Sequence, residues 1–284
     1  MIIGGPASQL LAGKLATILN QCLALCDYKI FPDGEAYSQI PTELDENVII
    51  IQSTPTDRDI IYLLQLLDIC RGKNISLVIP YFGYSRQDKI FKHGEAMTAR
   101  ALVKAIDHDL VKNSRVYLIN IHAPSILNHF STRAENLDAT PLLANAVRGL
   151  GLQNPVIISP DKGAMAMARS AAAFLNAPCD YLQKTRLSGT NVSMTPKEVD
   201  VKSRDVVIFD DIISTGGTMA SAVAMLRKQG AKRVFLAAVH PVLTGSALIK
   251  LYHSGVTSIL ATDTLDKAVG TISVASLIAQ ALKQ

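Results

Sequence analysis

The sequence contains no tryptophan, only four cysteines and no long apolar run. It is also short of charge: Asp, Glu, Lys and Arg make up 18% of its 284 residues, against roughly 25% in ordinary soluble domains. These absences exclude several classes of protein. Intrinsic disorder needs low hydrophobicity and high net charge, whereas 49% of the residues here are hydrophobic and the net charge is +4. The balance of 28 Lys and Arg against 24 Asp and Glu is too even for a nucleic-acid binder without a clustered basic face. No stretch approaches the roughly 18 apolar residues of a membrane span. The most apolar one, near residues 234–243, is broken by His240 and Pro241. The first residues, MIIGGPASQ, lack the charged segment and apolar core of a signal peptide. The expectation is a cytoplasmic protein with neither nucleic-acid nor membrane partners. Cys22, Cys26, Cys70 and Cys179 form no C-x-x-C pair, and no His completes a zinc site with them. Reduced, buried thiols are expected.

The chain is long enough for one large or two modest domains. Short β-branched runs at 48–51, 77–79, 116–121, 156–158, 206–209, 234–239 and 258–261 predict strands. Their continuous apolar character predicts burial on both faces of a parallel sheet. Between them, apolar residues recur near the helical period. Ile60, Ile61, Leu64, Leu67 and Ile69 do so within 57–71, and Met219, Ala222, Val223 and Leu226 do so ahead of a stop at Gly230. Residues 165–175 and 273–282 are also helix-like. Strand alternating with helix predicts an α/β architecture. RVYLINIH from Arg115 and RVFLAAVH from Arg233 share Arg, Val, Leu and His in register. Both read as strands ending in His, which points to an internal duplication. The expected domains are residues 1–142 and 143–284, and the last ten or so residues could join the first.

The most informative stretch is VVIFDDIISTGGTMASAVAMLRKQG. A buried strand at 206–209 runs into Asp210 and Asp211, then a Ser214-Thr215-Gly216-Gly217-Thr218 turn opens a helix. Glycines let the backbone approach a phosphate. Free amides at a helix N-terminus, with Ser and Thr hydroxyls, donate to phosphate oxygens. Two carboxylates at the strand end suit sugar hydroxyls or Mg²⁺. Neither G-x-x-x-x-G-K-[ST] nor G-x-G-x-x-G occurs.

This stretch resembles the phosphoribosyl-pyrophosphate (PRPP) motif of type I phosphoribosyltransferases and of ribose-phosphate pyrophosphokinases. Five further segments select the second family. Phe31-Pro32-Asp33-Gly34-Glu35 resembles its F-x-D-G-E segment, and Tyr84-Ser85-Arg86-Gln87-Asp88-Lys89 its Y-x-R-Q-D segment. Asn120-Ile121-His122 matches a metal-site His, although many members carry Asp where this chain has Asn120. Ser159-Pro160-Asp161-Lys162-Gly163-Ala164 is similar to the pyrophosphate loop, with Ala164 in place of a frequent second Gly. Lys184-Thr185-Arg186 resembles the catalytic Lys-x-Arg loop, and the polar segment 187–197 after it reads as a flexible loop.

The resemblance implies a fold of two similar phosphoribosyltransferase-type domains, each a mainly parallel sheet flanked by helices. The activity it implies is transfer of the β,γ-diphosphate of ATP to ribose 5-phosphate, with Mg²⁺. By resemblance, Phe31, Asp33, Glu35, Arg86, Gln87, Asp88, Lys89 and His122 would bind ATP. Asp210, Asp211, Ser214, Thr215, Gly216, Gly217 and Thr218 would bind ribose 5-phosphate. Asp161, Lys162, Gly163 and Ala164 would form the diphosphate loop. Lys184 and Arg186 would be catalytic, and His122 and Asp161 would hold the metal. Self-association into dimers or larger homo-oligomers is implied as well. A phosphoribosyltransferase and a catalytically silent synthase-like subunit are the competing readings.

Overall fold

The computed structural model describes residues 1–188, 191–196 and 199–283, with 184–188 and 191–196 described through their backbone only. These residues divide into two compact units, Met1–Asp138 with Thr264–Asp266 and Ser273–Gln284, and Ala139–Asp263 with Lys267–Ile272.

In chain order the first unit comprises β1 (Ile2–Gly4), α1 (Gln9–Leu19), β2 (Asp27–Ile30), β3 (Ala36–Gln39), β4 (Asn47–Ile51), α2 (Asp57–Ile69), β5 (Asn74–Ile79), α3 (Thr98–Asp107), β6 (Arg115–Ile119) and β7 (Arg133–Leu137). Strands β1, β4, β5, β6 and β7 form one parallel sheet in that order, and β2–β3 is a separate hairpin. Alternate residues of the central strands, among them Ile50, Ile75, Leu77, Val116 and Leu118, pack with Leu63, Leu66 and Leu67 of α2 and Val103 and Ile106 of α3. Helix α2 starts where it does because Thr56 and Asp59 form a reciprocal capping box.

The second unit comprises α4 (Thr140–Arg148), β8 (Val156–Ser159), α5 (Met165–Leu175), β9 (Cys179–Ser188), β10 (Asn191–Pro196), β11 (Asp205–Ile213), α6 (Gly217–Lys228), β12 (Arg233–Pro241), α7 (Ala247–His253), β13 (Ser258–Thr262) and β14 (Gly270–Ile272). Its sheet runs β10-β9-β8-β11-β12-β13-β14, parallel except for the β9–β10 pair. The periodic residues Met219, Ala222, Val223 and Leu226 of α6 are buried as expected, packed with Val206, Ile208, Val234 and Leu236. The last helix, α8 (Ala275–Leu282), belongs to the first unit.

The two sheets wind differently. Strands β4 to β7 follow one another across the first sheet in chain order. In the second, the chain leaves β8 towards β9 on one side, then returns to place β11 on the other side of β8. This reversal makes a topological switch point at β8 and β11, and open α/β sheets take ligands outside the carboxyl ends of the strands at such a point.

Several boundaries depart from expectation. The strand expected at 206–209 runs from Asp205 to Ile213, so Asp210 and Asp211 lie inside it. It outlasts β8 because β12 stays paired with it as far as Ile213 opposite Pro241. The strand expected to reach residue 121 ends at Ile119, where Asn120 turns to φ 36°, a region Asn tolerates better than most residues. The segment 187–197, expected as a loop, is instead largely strand. β9 continues to Ser188 and β10 returns antiparallel to it, with Lys184 opposite Met194 and Arg186 opposite Val192. Gly189, Thr190 and Lys197 and the side chains of Lys184 and Arg186 lie outside the described residues.

The four cysteines are free thiols. Cys70 is buried and burial pushes its thiol up to about 12, but Cys22 is exposed, against the expectation. No helix among the described residues is long and apolar enough to cross a membrane.

Candidate active site

The best-formed anion cradle is the turn between β11 and α6. Gly216 caps the helix at φ 74°, and a Cβ there would meet Ala247 O at 3.2 Å and Leu251 Cγ at 3.3 Å on α7. Both the left-handed backbone and the close approach demand glycine. No side chain caps this helix, so its first amides face outwards with Thr215, Gly217 and Thr218 exposed around them. The loop after β12 pins the turn: Leu243 N donates to Ile213 O at 2.9 Å and Thr244 N to Ser214 O at 3.2 Å.

Just inside the strand, Asp211 N donates to Asp210 Oδ1 at 3.0 Å. Burial, then the neighbouring Asp211 carboxylate and the more distant Asp161, hold the Asp210 carboxyl well above the ordinary carboxylate range. The three carboxyl groups thus crowd together in a way that a cation or hydrogen-bond donors would relieve.

Asp161 lies beside this site because β8 and β11 are neighbours. Its Oδ1 accepts from Gly163 N at 2.8 Å and Ala164 N at 3.4 Å. Ser159 Oγ donates to Asp161 O at 2.5 Å, and Lys162 Nζ sits 5.8 Å from the Tyr181 ring centroid. The Asp161 carboxylate therefore rests on the same amides that the resemblance assigns to diphosphate.

In the first unit, residues from three adjacent strand ends line the carboxyl edge of the sheet. The loop after β5 is stitched to the end of β4: Tyr81 N donates to Ser53 Oγ at 3.1 Å and Gly83 N to Thr54 Oγ1 at 2.8 Å. A Cβ on Gly83 would collide with Thr54 O at 2.1 Å, so only glycine fits. Tyr84 holds φ 62° and donates to Asp57 at 2.5 Å. Arg86 and Lys89 emerge exposed and Asp88 half-buried, with Lys89 over the Phe91 ring at 5.1 Å. Gln87 is partly structural, since its Oε1 accepts from Thr98 Oγ1 at 2.5 Å and its backbone carbonyl from Ala99 N at 3.3 Å. His122 is exposed after β6. Asn120 Nδ2 donates to Asp138 Oδ1 at 2.9 Å, which commits the amide that stands in place of a carboxylate.

Phe31, Asp33 and Glu35 occupy the tip of the β2–β3 hairpin. Phe31 N donates to Glu35 O at 2.8 Å, and Asp33 Oδ1 accepts from Glu35 N at 3.2 Å, which closes the turn. The base is fixed to α2 through Gln65 Nε2 to Ala36 O at 2.7 Å and an edge-on Tyr28–Tyr62 pair at 5.4 Å. Phe31 remains 47% exposed, edge-on to Tyr37 at 5.8 Å.

A family model described as the N-terminal domain of ribose phosphate pyrophosphokinase matches residues 1–109, and a phosphoribosyl transferase domain matches residues 130–271. A curated relative from Methanosarcina acetivorans, named ribose-phosphate pyrophosphokinase, is 52% identical over 285 residues, covering 100% of this chain and 99% of its own. The chain belongs to the ribose-phosphate pyrophosphokinase family. Another relative carrying that name with a number 2, from Archaeoglobus fulgidus, is 41% identical and covers 98% of both chains. The crystal structure of phosphoribosylpyrophosphate synthetase from Mycobacterium smegmatis aligns with a TM-score of 0.87 at 26% identity, covering 100% of this chain and 97% of that one. The pyrophosphokinase motifs thus sit on a chain that matches the family from end to end.

Motif reading passed over residues that position these segments. Thr54 and Ser53 carry no local signal, because their partners lie 27 and more residues away. Asp138 was equally silent, 18 residues from the Asn120 it binds. Tyr84 lay inside a motif, but its bond to Asp57 needs the fold.

Proposed function

We propose that the chain transfers the β,γ-diphosphate of ATP to the 1-hydroxyl of ribose 5-phosphate, giving PRPP and AMP. The observation that carries this reading is the adjacency of two strand–loop–helix anion turns, at Asp161–Ala164 and Ser214–Thr218, in a chain of this family. The ribose oxygen attacks the β-phosphorus in line, the bond to the bridging oxygen of AMP breaks, and the hydroxyl proton passes to solvent. Such transfers depend on positioning and charge stabilisation more than on a general base.

The α6 amides and the Ser214, Thr215 and Thr218 hydroxyls grip the 5-phosphate, and Asp210 and Asp211 orient the ribose hydroxyls. Diphosphate replaces the Asp161 carboxylate on the Gly163 and Ala164 amides, which leaves that carboxylate for a metal. Phe31, Arg86, Gln87, Asp88 and Lys89 bind ATP, with Asp33 and Glu35 beside the base. Lys184 and Arg186 stabilise the migrating diphosphate. Among the described residues no three His, Cys, Asp or Glu side chains converge on a metal position. That suits Mg²⁺, which keeps waters and is commonly held by one or two protein groups plus substrate phosphates. His122 and Asp161 would be those protein groups, and the ion would neutralise polyphosphate charge. The exposed Phe31 tip also suits contact with a second copy, in a homo-oligomer working in the cytoplasm.

The test is incubation with ATP, Mg²⁺ and ribose 5-phosphate, followed for AMP and PRPP in equal amounts. Consumption of PRPP with a free base and no use of ATP would instead identify a phosphoribosyltransferase, and no turnover would identify a silent subunit.

A further inference from the structure

The turn that presents Arg86 is held at both ends by residues that lie in no motif. Gln87 N donates to Tyr84 O at 2.9 Å, which closes Tyr84-Ser85-Arg86-Gln87 as a four-residue turn. Ser85 is buried, and Arg86 beside it is exposed. The direction in which Arg86 leaves the chain is therefore set by the turn as a whole.

At the first end, Tyr84 holds φ 62°. A bulky residue in the left-handed region is an outlier. Such conformations persist only where the surroundings over-determine them, and they cluster at functional sites. Here the Tyr84 hydroxyl donates to Asp57 Oδ1 at 2.5 Å. Asp57 is the first residue of α2, and that helix does not need it as a cap, because Thr56 and Asp59 already form the capping box. At the other end, Thr98 opens α3, and its hydroxyl donates to Gln87 Oε1 at 2.5 Å. That bond occupies the acceptor of the exposed Gln87 amide and leaves its Nε2 group to donate. The backbone adds Ala99 N to Gln87 O at 3.3 Å. Both side-chain bonds lie at the surface, where substitutions usually change stability little. Their consequence is local: they fix the turn.

On the reading that ATP is the diphosphate donor, we propose that Asp57 and Thr98 are positioning residues for the nucleotide. They latch the two ends of this turn, so the protein free of ligand already holds Arg86 and Gln87 as ATP needs them. A turn ordered before binding loses less conformational entropy when ATP arrives, so each latch adds affinity without touching the ligand. Without its latch, Tyr84 relaxes out of the left-handed region and carries Arg86 with it.

The test is calorimetric titration of the full chain with ATP and Mg²⁺, ribose 5-phosphate being left out to prevent turnover, beside steady-state kinetics with both substrates. Asp57→Ala, Tyr84→Phe and Thr98→Val should each weaken ATP binding about tenfold, on the scale of one hydrogen bond. Asp57→Asn and Thr98→Ser keep the acceptor and the hydroxyl and should recover most of the loss. The double variant Asp57→Ala/Tyr84→Phe should bind ATP no worse than either single variant, since both break the same bond. The loss should appear in the KM for ATP and not in that for ribose 5-phosphate, a split that a merely structural role would not produce. If Asp57→Ala fails to fold, Tyr84→Phe, which keeps the ring, carries the test. A wild type that makes PRPP, with folded latch variants that bind ATP as tightly as it does, overturns the latch and leaves the activity standing. A wild type that neither binds ATP nor makes PRPP overturns the activity, and the latch with it.

Discussion

Asp205 and Asp210 lie on the same strand with opposite electrostatics. Asp205 accepts from Gln153 N at 2.6 Å and is paired with Arg233, whose hydrogen bonds hold its carboxyl below the ordinary carboxylate range. A lowered value stabilises the fold above that range, and the contribution is lost as pH falls through the folded value. Asp205→Ala should cost about 1–2 kcal/mol at neutral pH, because the Arg233 partner is partly exposed, and flatten the acid limb of stability. Urea midpoints at pH 7 and pH 3 would show this, and an unchanged difference between them would contradict it. Asp210 has the reverse sign. Its raised carboxyl favours the fold while protonated and disfavours it as pH rises through the raised value. Asp210→Asn should raise Tm by a few degrees near neutrality, increasingly so as pH rises, while PRPP formation collapses. A lower Tm would count against the electrostatic account. Asp210 was legible because it sits in a motif. Asp205 was not, because Arg233 stands 28 residues away and meets it only across a sheet.

Elements were legible where burial made them periodic. Helix α6 shows its buried face in Met219, Ala222, Val223 and Leu226, and the parallel strands show as apolar runs. The β2–β3 hairpin escaped notice because its strands are mostly exposed or half-buried and so carry no apolar pattern. Its tip stands clear of its base, so Phe31→Ala should leave Tm within about a degree, given that surface changes are usually within ±0.5 kcal/mol. On the proposed role it should raise the KM for ATP about tenfold, which steady-state kinetics would read; a normal KM would remove Phe31 from the ATP site. The β9–β10 segment was misread because its polar side chains resemble a loop, while its backbone pairs in antiparallel register. Lys184→Ala and Arg186→Ala should each lower kcat by about two orders of magnitude or more with little change in thermal stability. Near-normal turnover would sink the catalytic assignment.

At the scale of the molecule, winding positions the site. The reversal between β8 and β11 brings Asp161 beside Asp210, though they are far apart in sequence. If the turn after β11 grips ribose 5-phosphate, ligand at 100 times its Kd should add about 2.7 kcal/mol of stability. A thermal-shift titration would show the rise, and its absence would count against that placement. Composition, periodicity and motif residues alone determined the α/β class, the repeat and the chemistry of the anion turns, because each is written in local residue order. Tertiary structure alone decided which carboxylates crowd together, that Asp161 rests on its own loop amides, and that Asp57 meets Tyr84. Those facts depend on strand register and sheet order, which bring residues far apart in the chain within hydrogen-bonding distance.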